Sequence, residues 1–292
     1  MQDQDASVTA LGVAYIRAAH QLIDPRPLLF EDPIALPLLG PEAEARIRDS
    51  RPRYDHPVGR GLRSHVCLRS RFAEDRLAQA QADTYILVGA GFDTFAWRQP
   101  DWAKSLRILE IDHPATQAKK RAMLAAAGLA IPANLTLLAA DFTRETLGDV
   151  LARQTIPAGA RVYFSWLGVT MYLDEAAIDT SLAAMAQCGA YAALTLTFKV
   201  PEQSPADAQI SAMVAAVGEA FVSTFSPAEI DAKLAAHGFG HRELLTPEAA
   251  RQTYFTPPGS LPPPRRPAIV YAATACGLER GTGCTHKFGG LD

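Results

Sequence analysis

Residues 84–93 read TYILVGAGFD. An apolar, β-branched-rich run passes straight into two glycines, with no polar alternation. That is the habit of a strand buried on both faces, as in a parallel sheet covered by helices. The pattern returns along the chain in LRILEID (Leu106 to Asp112), LTLLAAD (Leu135 to Asp141), RVYFSWLG (Arg161 to Gly168) and YAALTLTF (Tyr191 to Phe198). Helix signals lie between them. Pro114 suits a first helical turn, and Gly128 stops the helix that follows. A second helix is expected from about Arg144 to Gln154, and Asp174 caps a third that runs to about Cys188. Strands alternating with helices make βαβ units, so residues 84–200 predict a doubly wound α/β core with a parallel sheet.

The flanks read differently. The first 80 or so residues are helical in pattern: Val8 to Leu22, a short piece from Pro33 to Leu39, and a longer helix from Gly61 to Ala82 carrying Arg63, Arg69, Arg71 and Arg76. After Pro201, helices are expected over 206–219 and from Ser226-Pro227 to Gly238. LPPPRRP (Leu261 to Pro267) reads as a loop, and AIVYAAT (Ala268 to Thr274) as a last strand. The glycine-rich stretch from Cys276 to Asp292 reads as a loosely ordered tail. Residues 1–275 are therefore expected to form one domain: a cover over 1–80, a ligand-binding core over 84–200 and a substrate-side insertion over 201–265.

Composition removes several function classes. The 292 residues carry a formal net charge of -3, without the strongly basic balance of a nucleic-acid binder. The N-terminus is acidic where a secretory signal is basic, and no apolar run approaches the roughly 20 residues of a membrane span. The expected setting is cytoplasmic. The four cysteines are scattered without a CxxC pair. Cys276, Cys284 and His286 are too few and too widely spaced for a zinc site, so no metal is expected.

In an open α/β sheet, ligands bind outside the carboxyl ends of the strands. Those ends hold Gly89-Ala90-Gly91-Phe92-Asp93, Glu110-Ile111-Asp112, Asp141-Phe142 and Leu167-Gly168-Val169-Thr170. Gly89 and Gly91 let backbone approach a ligand where a Cβ would collide. Glu110 and Asp112 both stand about 20 residues beyond the glycines, the offset of a ribose-hydroxyl acceptor. Register decides between them, and Asp112 is favoured. Asp141 is placed to accept from an adenine amino group, with Phe142 on the ring. A pyrophosphate fits less well. Thr94 replaces the third glycine of the dinucleotide fingerprint, Pro100 cuts the next helix short, and Asp93 adds negative charge. A cofactor with a cationic end suits that charge better.

VGAGFDTFAWR, ILEIDHPATQAKK and SWLGVTMYL, in this order, resemble the leucine carboxyl methyltransferase-like family, in its bacterial S-adenosylmethionine-dependent branch. FEDPIA, RSRFAED and FSPAEIDAKLAAHGF extend the likeness from about Ala10 to Thr274. The resemblance implies a Rossmann-like class I methyltransferase sheet, mostly parallel with about seven strands, under a helical N-terminal cover and with a late insertion. It implies S-adenosyl-L-methionine as cofactor and S-adenosyl-L-homocysteine as product. By the same likeness Arg69 pairs with the cofactor's carboxylate, Gly89 forms the glycine-loop contact, Asp112 binds the ribose, and Asp141-Phe142 neighbour the adenine. Arg17 matches an N-terminal basic contact only loosely. Leu167 stands where the family often carries a glutamate, which removes one polar contact to the cofactor. Tyr172 matches a position near the methyl acceptor.

The implied function is an O-methyltransferase of a small molecule, possibly at a carboxylate. An ionised carboxylate needs no general base, whereas a hydroxyl does. The histidines nearest these motifs read as bystanders: His113 as a helix cap and His65 as a solvated helix face. Trp97 and Trp166 read as core. A nicotinamide-dependent oxidoreductase and a non-catalytic cofactor binder stand as rival readings.

Overall fold

A computed structural model describes residues 7–274 apart from 203, 217 and 258. The expected tail from Cys276, with Cys284 and His286, lies outside the described residues. The chain opens with helices α1 (Val8–Ile23), α2 (Ala35–Leu39), α3 (Ala43–Asp49), α4 (Arg51–Asp55) and α5 (Pro57–Ala80). Helix α1 starts where the Ser7 hydroxyl accepts from Ala10 N, a side-chain N-cap. Helix α5 begins earlier than expected, because Pro57 fits its first turn and His56 caps it.

The core then alternates: β1 (Thr84–Val88), α6 (Phe95–Arg98), β2 (Arg107–Asp112), α7 (Pro114–Ala126), β3 (Leu135–Ala139), α8 (Leu147–Ala152), β4 (Arg161–Trp166), α9 (Glu175–Ala186) and β5 (Tyr191–Thr197). Helix α6 is a single turn that ends before Pro100. Helix α8 is shorter than expected, because Thr146 and Asp149 close a capping box that fixes its start. The closing elements are α10 (Pro205–Ala215), α11 (Pro227–Ala236), β6 (His241–Leu244), α12 (Pro247–Tyr254) and β7 (Ile269–Ala273).

The seven strands form one sheet in the order β3-β2-β1-β4-β5-β7-β6. The first five are parallel; β7 runs antiparallel to β5 and β6 antiparallel to β7. This is the mostly parallel seven-stranded sheet that the resemblance implied. Strand β6 was not legible: HREL is polar, and it forms by completing the free edge of β7. Every residue of β1, β5 and β7 is buried. Two apolar clusters fill the two faces, one around Phe164, Trp166 and Leu182 and the other around Tyr85, Tyr163 and Phe95. The order reverses between β1 and β4, so their carboxyl ends open the crevice where such sheets take ligands. Among the described residues, no helix is long and apolar enough to cross a membrane.

Candidate active site

The β1 strand stops in a loop that only glycine allows. Gly89 has φ +68° and Gly91 φ +53°, the left-handed region. A Cβ on Gly89 would sit 2.3 Å from Val169 Cγ2, so the loops after β1 and β4 touch. Gly91 N donates to Asp112 Oδ2 at 2.6 Å, and His113 N donates to Asp112 Oδ1 at 2.7 Å. Asp112 is thus held half-buried at the mouth of the crevice, and burial raises its pKa. Glu110, two residues back, does not reach the mouth. It is fully buried in an ion pair with Lys120, whose Nζ also lies 5.2 Å from the Trp97 ring centroid. Register therefore brings Asp112 to the crevice and leaves Glu110 inside. His113 caps α7, its Nδ1 accepting from Ala115 N at 3.3 Å.

Helix α5 supplies a cation to the loop after β4. Arg69 Nη1 lies 2.7 Å from where a Cβ on Gly168 would stand, and Gly168 has φ +76°. The other arginines of α5 are engaged: Arg60 with Ser260 O, Arg63 with Asp24, Arg71 with Asp75 and Arg76 with Glu243. Among the described residues, no carboxylate lies within ion-pair distance of Arg69. Burial pushes its pKa down to about 10. Arg63 also turns inward, at 1% exposed. His65, one turn before Arg69, is half-buried rather than on a solvated face. Burial, and then Arg69, push its pKa down to about 3.

A second charge group ties the cover to the glycine loop. Arg17 of α1 pairs with Asp32 and, at 3.1 Å, with Asp93. Thr94 Oγ1 donates to Asp32 Oδ1 at 2.7 Å, while Arg98 grips Glu74 through both nitrogens of its fork. Arg17 is thereby committed to the protein's own carboxylates. FEDPIA carried a signal for Asp32, but nothing in the sequence showed that it sits under the glycine loop.

Beyond β3, Asp141 Oδ1 accepts from Thr143 N at 3.0 Å and from Thr143 Oγ1 at 2.7 Å. Phe142 lines a cavity of about 90 Å³ with Val88, Leu147, Trp166 and Leu173. Trp166 is fully buried, and Leu167, next in the chain, is half-buried. Tyr172 ends the turn after β4. Its ring centroid is 5.5 Å from that of Phe221, its hydroxyl meets Thr9, and burial raises its pKa. Val222 N donates to Met171 O at 2.7 Å, and Ser223 Oγ to Thr170 O at 2.9 Å. Glu219 accepts from Val8 N at 3.0 Å and from Ser7 Oγ at 3.1 Å. The start of α1 and residues 219–225 thus meet over Tyr172. No motif announced Glu219.

Arg69, Gly89, Ala90, Gly91, Asp112, Asp141, Phe142, Leu167 and Tyr172 all stand at or beyond the carboxyl edge of the sheet or against the loops there. Residues 10–186 match the family described as leucine carboxyl methyltransferase. The chain belongs to the leucine carboxyl methyltransferase family. It is 30% identical to the Bacillus subtilis (strain 168) protein named "Putative S-adenosyl-L-methionine-dependent methyltransferase YktD", across 88% of this chain and 93% of that one. Two crystal structures share the fold. One, of a "putative methyltransferase" from Thermobifida fusca YX, has a TM-score of 0.52 at 16% identity over 93% of this chain and 95% of that one. The other, a DUF574 family protein from Streptomyces avermitilis, has a TM-score of 0.55 at 14% identity over 92% and 97%. The protein is an S-adenosylmethionine-dependent methyltransferase, and the oxidoreductase reading is not favoured. The residues present fit the cofactor of the leucine carboxyl methyltransferase family. Arg69 is a half-buried cation with, among the described residues, no carboxylate at ion-pair distance, and Gly168, which it stands against, has no Cβ to block it.

Proposed function

We propose that the protein methylates an oxygen of a small-molecule acceptor, at a carboxylate, and releases S-adenosylhomocysteine. The observation that carries this is a site with a half-buried cation that has no carboxylate at ion-pair distance and, among the described residues, no neighbouring histidine free to act as a base. His65 is held neutral near pH 7 and is a poor proton acceptor with a pKa of about 3. His113 spends its Nδ1 on the α7 cap. A hydroxyl acceptor would need a base with a pKa closer to the working pH. A carboxylate arrives ionised.

S-adenosylmethionine supplies an electrophilic methyl group whose transfer demands alignment above all. The chain's residues provide that alignment. Arg69 forks onto the cofactor's carboxylate, Gly89, Ala90 and Gly91 admit its backbone-facing edge, and Asp112 accepts from the ribose hydroxyls. Asp141 accepts from the adenine amino group, with Phe142 and Leu167 packed beside the ring. The Tyr172 hydroxyl holds the acceptor carboxylate. The cover helices and residues 201–265 shape the acceptor side.

Calorimetry with S-adenosylmethionine and S-adenosylhomocysteine tests the cofactor half, with NADH as control. Micromolar binding is expected, weakened at least about tenfold, or about 1.4 kcal/mol, by Asp112→Ala. Binding of NADH alone would sink it. A screen of carboxylic acids with labelled methyl tests the acceptor half. An alkali-labile methyl ester is expected, whereas an alkali-stable methyl ether would move the acceptor to a hydroxyl.

A further inference from the structure

Trp166 lines the cavity beside Phe142, and its indole carries a buried polar atom with no hydrogen-bond partner. The cavity lies at the carboxyl ends of β1 and β4, between Val88 and Trp166 of the sheet, Leu147 of α8 and Ala177 of α9. Its other polar lining groups are spent. Thr180 Oγ1 donates to Ala176 O at 2.8 Å, and Ser181 Oγ to Ala177 O at 2.7 Å. Thr146 closes the α8 capping box, and Glu145 pairs with Arg153 at 2.6 Å. Trp166 differs. Its side chain is 0% exposed, and its Nε1 has no hydrogen-bond partner. An indole N–H is a donor only, and burying one without an acceptor costs free energy that a ligand can return. The walls are otherwise apolar. The ligand chemistry that answers this is a flat heteroaromatic ring with an unprotonated ring nitrogen.

We infer that the Trp166 indole N–H donates to a ring nitrogen of the cofactor's adenine, making Trp166 a specificity-determining residue at that end of the site. The inference rests on the proposed placing of adenine beside Asp141 and Phe142. It adds something that placing lacks. Asp141 accepts from an exocyclic amino group, whereas Trp166 donates to the ring itself. Together they read a donor and an acceptor on one base, which a guanine or an inosine ring presents differently. Trp166 also takes a polar role in a motif where Leu167 offers none.

The test is S-adenosylhomocysteine binding by the full chain and by Trp166→Phe, which keeps an aromatic ring and removes the N–H. The ligand series adds its 1-deaza, 3-deaza and 7-deaza analogues, each with one ring nitrogen replaced by carbon. Loss of one neutral hydrogen bond predicts binding weaker by about three- to tenfold in the variant. One deaza analogue should bind the wild type more weakly by a similar factor, and the variant should no longer distinguish it from the parent ligand. Thermal melting of the variant separates a folding defect from a binding one. If Trp166→Phe does not fold, the wild type decides alone: equal affinity for all four ligands overturns the inference. So does a folded variant that binds as tightly as wild type, or one that still discriminates between the analogues as wild type does. Wild type that binds none of the four ligands overturns the cofactor placing as well, so the two failures are distinct.

Discussion

Two groups of buried charge flank the glycine loop, and they obey opposite rules. On the cover side, Arg17, Asp32, Asp93, Arg98 and Glu74 interlock, so each carboxylate meets a cation. On the crevice side, Arg69 stands against Gly168 with, among the described residues, no carboxylate at ion-pair distance. The first group is complete and holds α1 to the loop. The second is incomplete, and under the proposed cofactor placing a ligand carboxylate completes it. On that proposal, identical chemistry serves stability in one place and binding in the other. The two are told apart by whether the partner belongs to the chain.

Breaking the complete group should have the largest effect. Asp32→Ala leaves the buried Arg17 with Asp93 as its one remaining ion-pair partner among the described residues and removes the acceptor of Thr94 Oγ1. Removing one partner of a buried pair costs about 3–5 kcal/mol. Denaturant unfolding should show that loss, and a change below about 1 kcal/mol would mean that the network does not hold the cover. Breaking the incomplete group should do the reverse. Arg69→Met removes a cation that burial disfavours, so stability should hold or rise. S-adenosylhomocysteine affinity should fall by about 2–5 kcal/mol, the usual cost of cutting one side of a buried charge pair. If the variant loses stability but keeps the ligand, Arg69 belongs with the first group.

Gly89→Ala probes the loop between them. The alanine must hold φ near +68°, at a cost of about 1–2 kcal/mol, and its Cβ must displace Val169. A loss of about 2 kcal/mol in stability is expected, with weaker cofactor binding. Gly91→Ala makes a useful contrast. Its Cβ would meet only Ala10 Cβ, at 3.3 Å, so its loss should be the smaller of the two.

The sequence showed one of these regions far better than the other. Continuous apolar runs mark strands buried on both faces, and their ends name the crevice residues, so Gly89, Asp112, Asp141 and Phe142 were legible from pattern and offset. Arg69 was legible only through RSRFAED, because its helix carries five arginines with nothing local to separate the inward ones. His65 was misjudged for that reason: the face a helix buries depends on what packs against it. Asp32, Lys120, Glu219 and the free Nε1 of Trp166 are tertiary facts. Each acquires its role from partners or walls distant in the chain, as Glu219 does from Ser7 and Val8. Strand β6 is the same case in backbone form, made by an edge rather than by its own residues.

A pH-dependent effect should come from Glu110, which the sequence offered as a ribose acceptor and the fold placed in the interior, paired with Lys120. Burial raises the Glu110 pKa from 4.5 to about 7, with Lys120 opposing the shift. The folded chain therefore retains a proton between those values that the unfolded chain has released. Stability from this group is present below about pH 4.5, declines as pH rises through the window, and is gone above about pH 7. The slope is at most about 1.4 kcal/mol per pH unit. A double substitution, Glu110→Gln with Lys120→Met, removes both charges and the decline with them. Replacing a buried pair by neutral groups of similar size is often neutral or stabilising. The difference in unfolding free energy, variant minus wild type, should then increase from pH 4.5 to pH 7 and level off above. Parallel curves across that range would mean that Glu110 is ionised throughout. The pair would then behave like the balanced charges of the cover, rather than as an acid kept partly protonated by its burial.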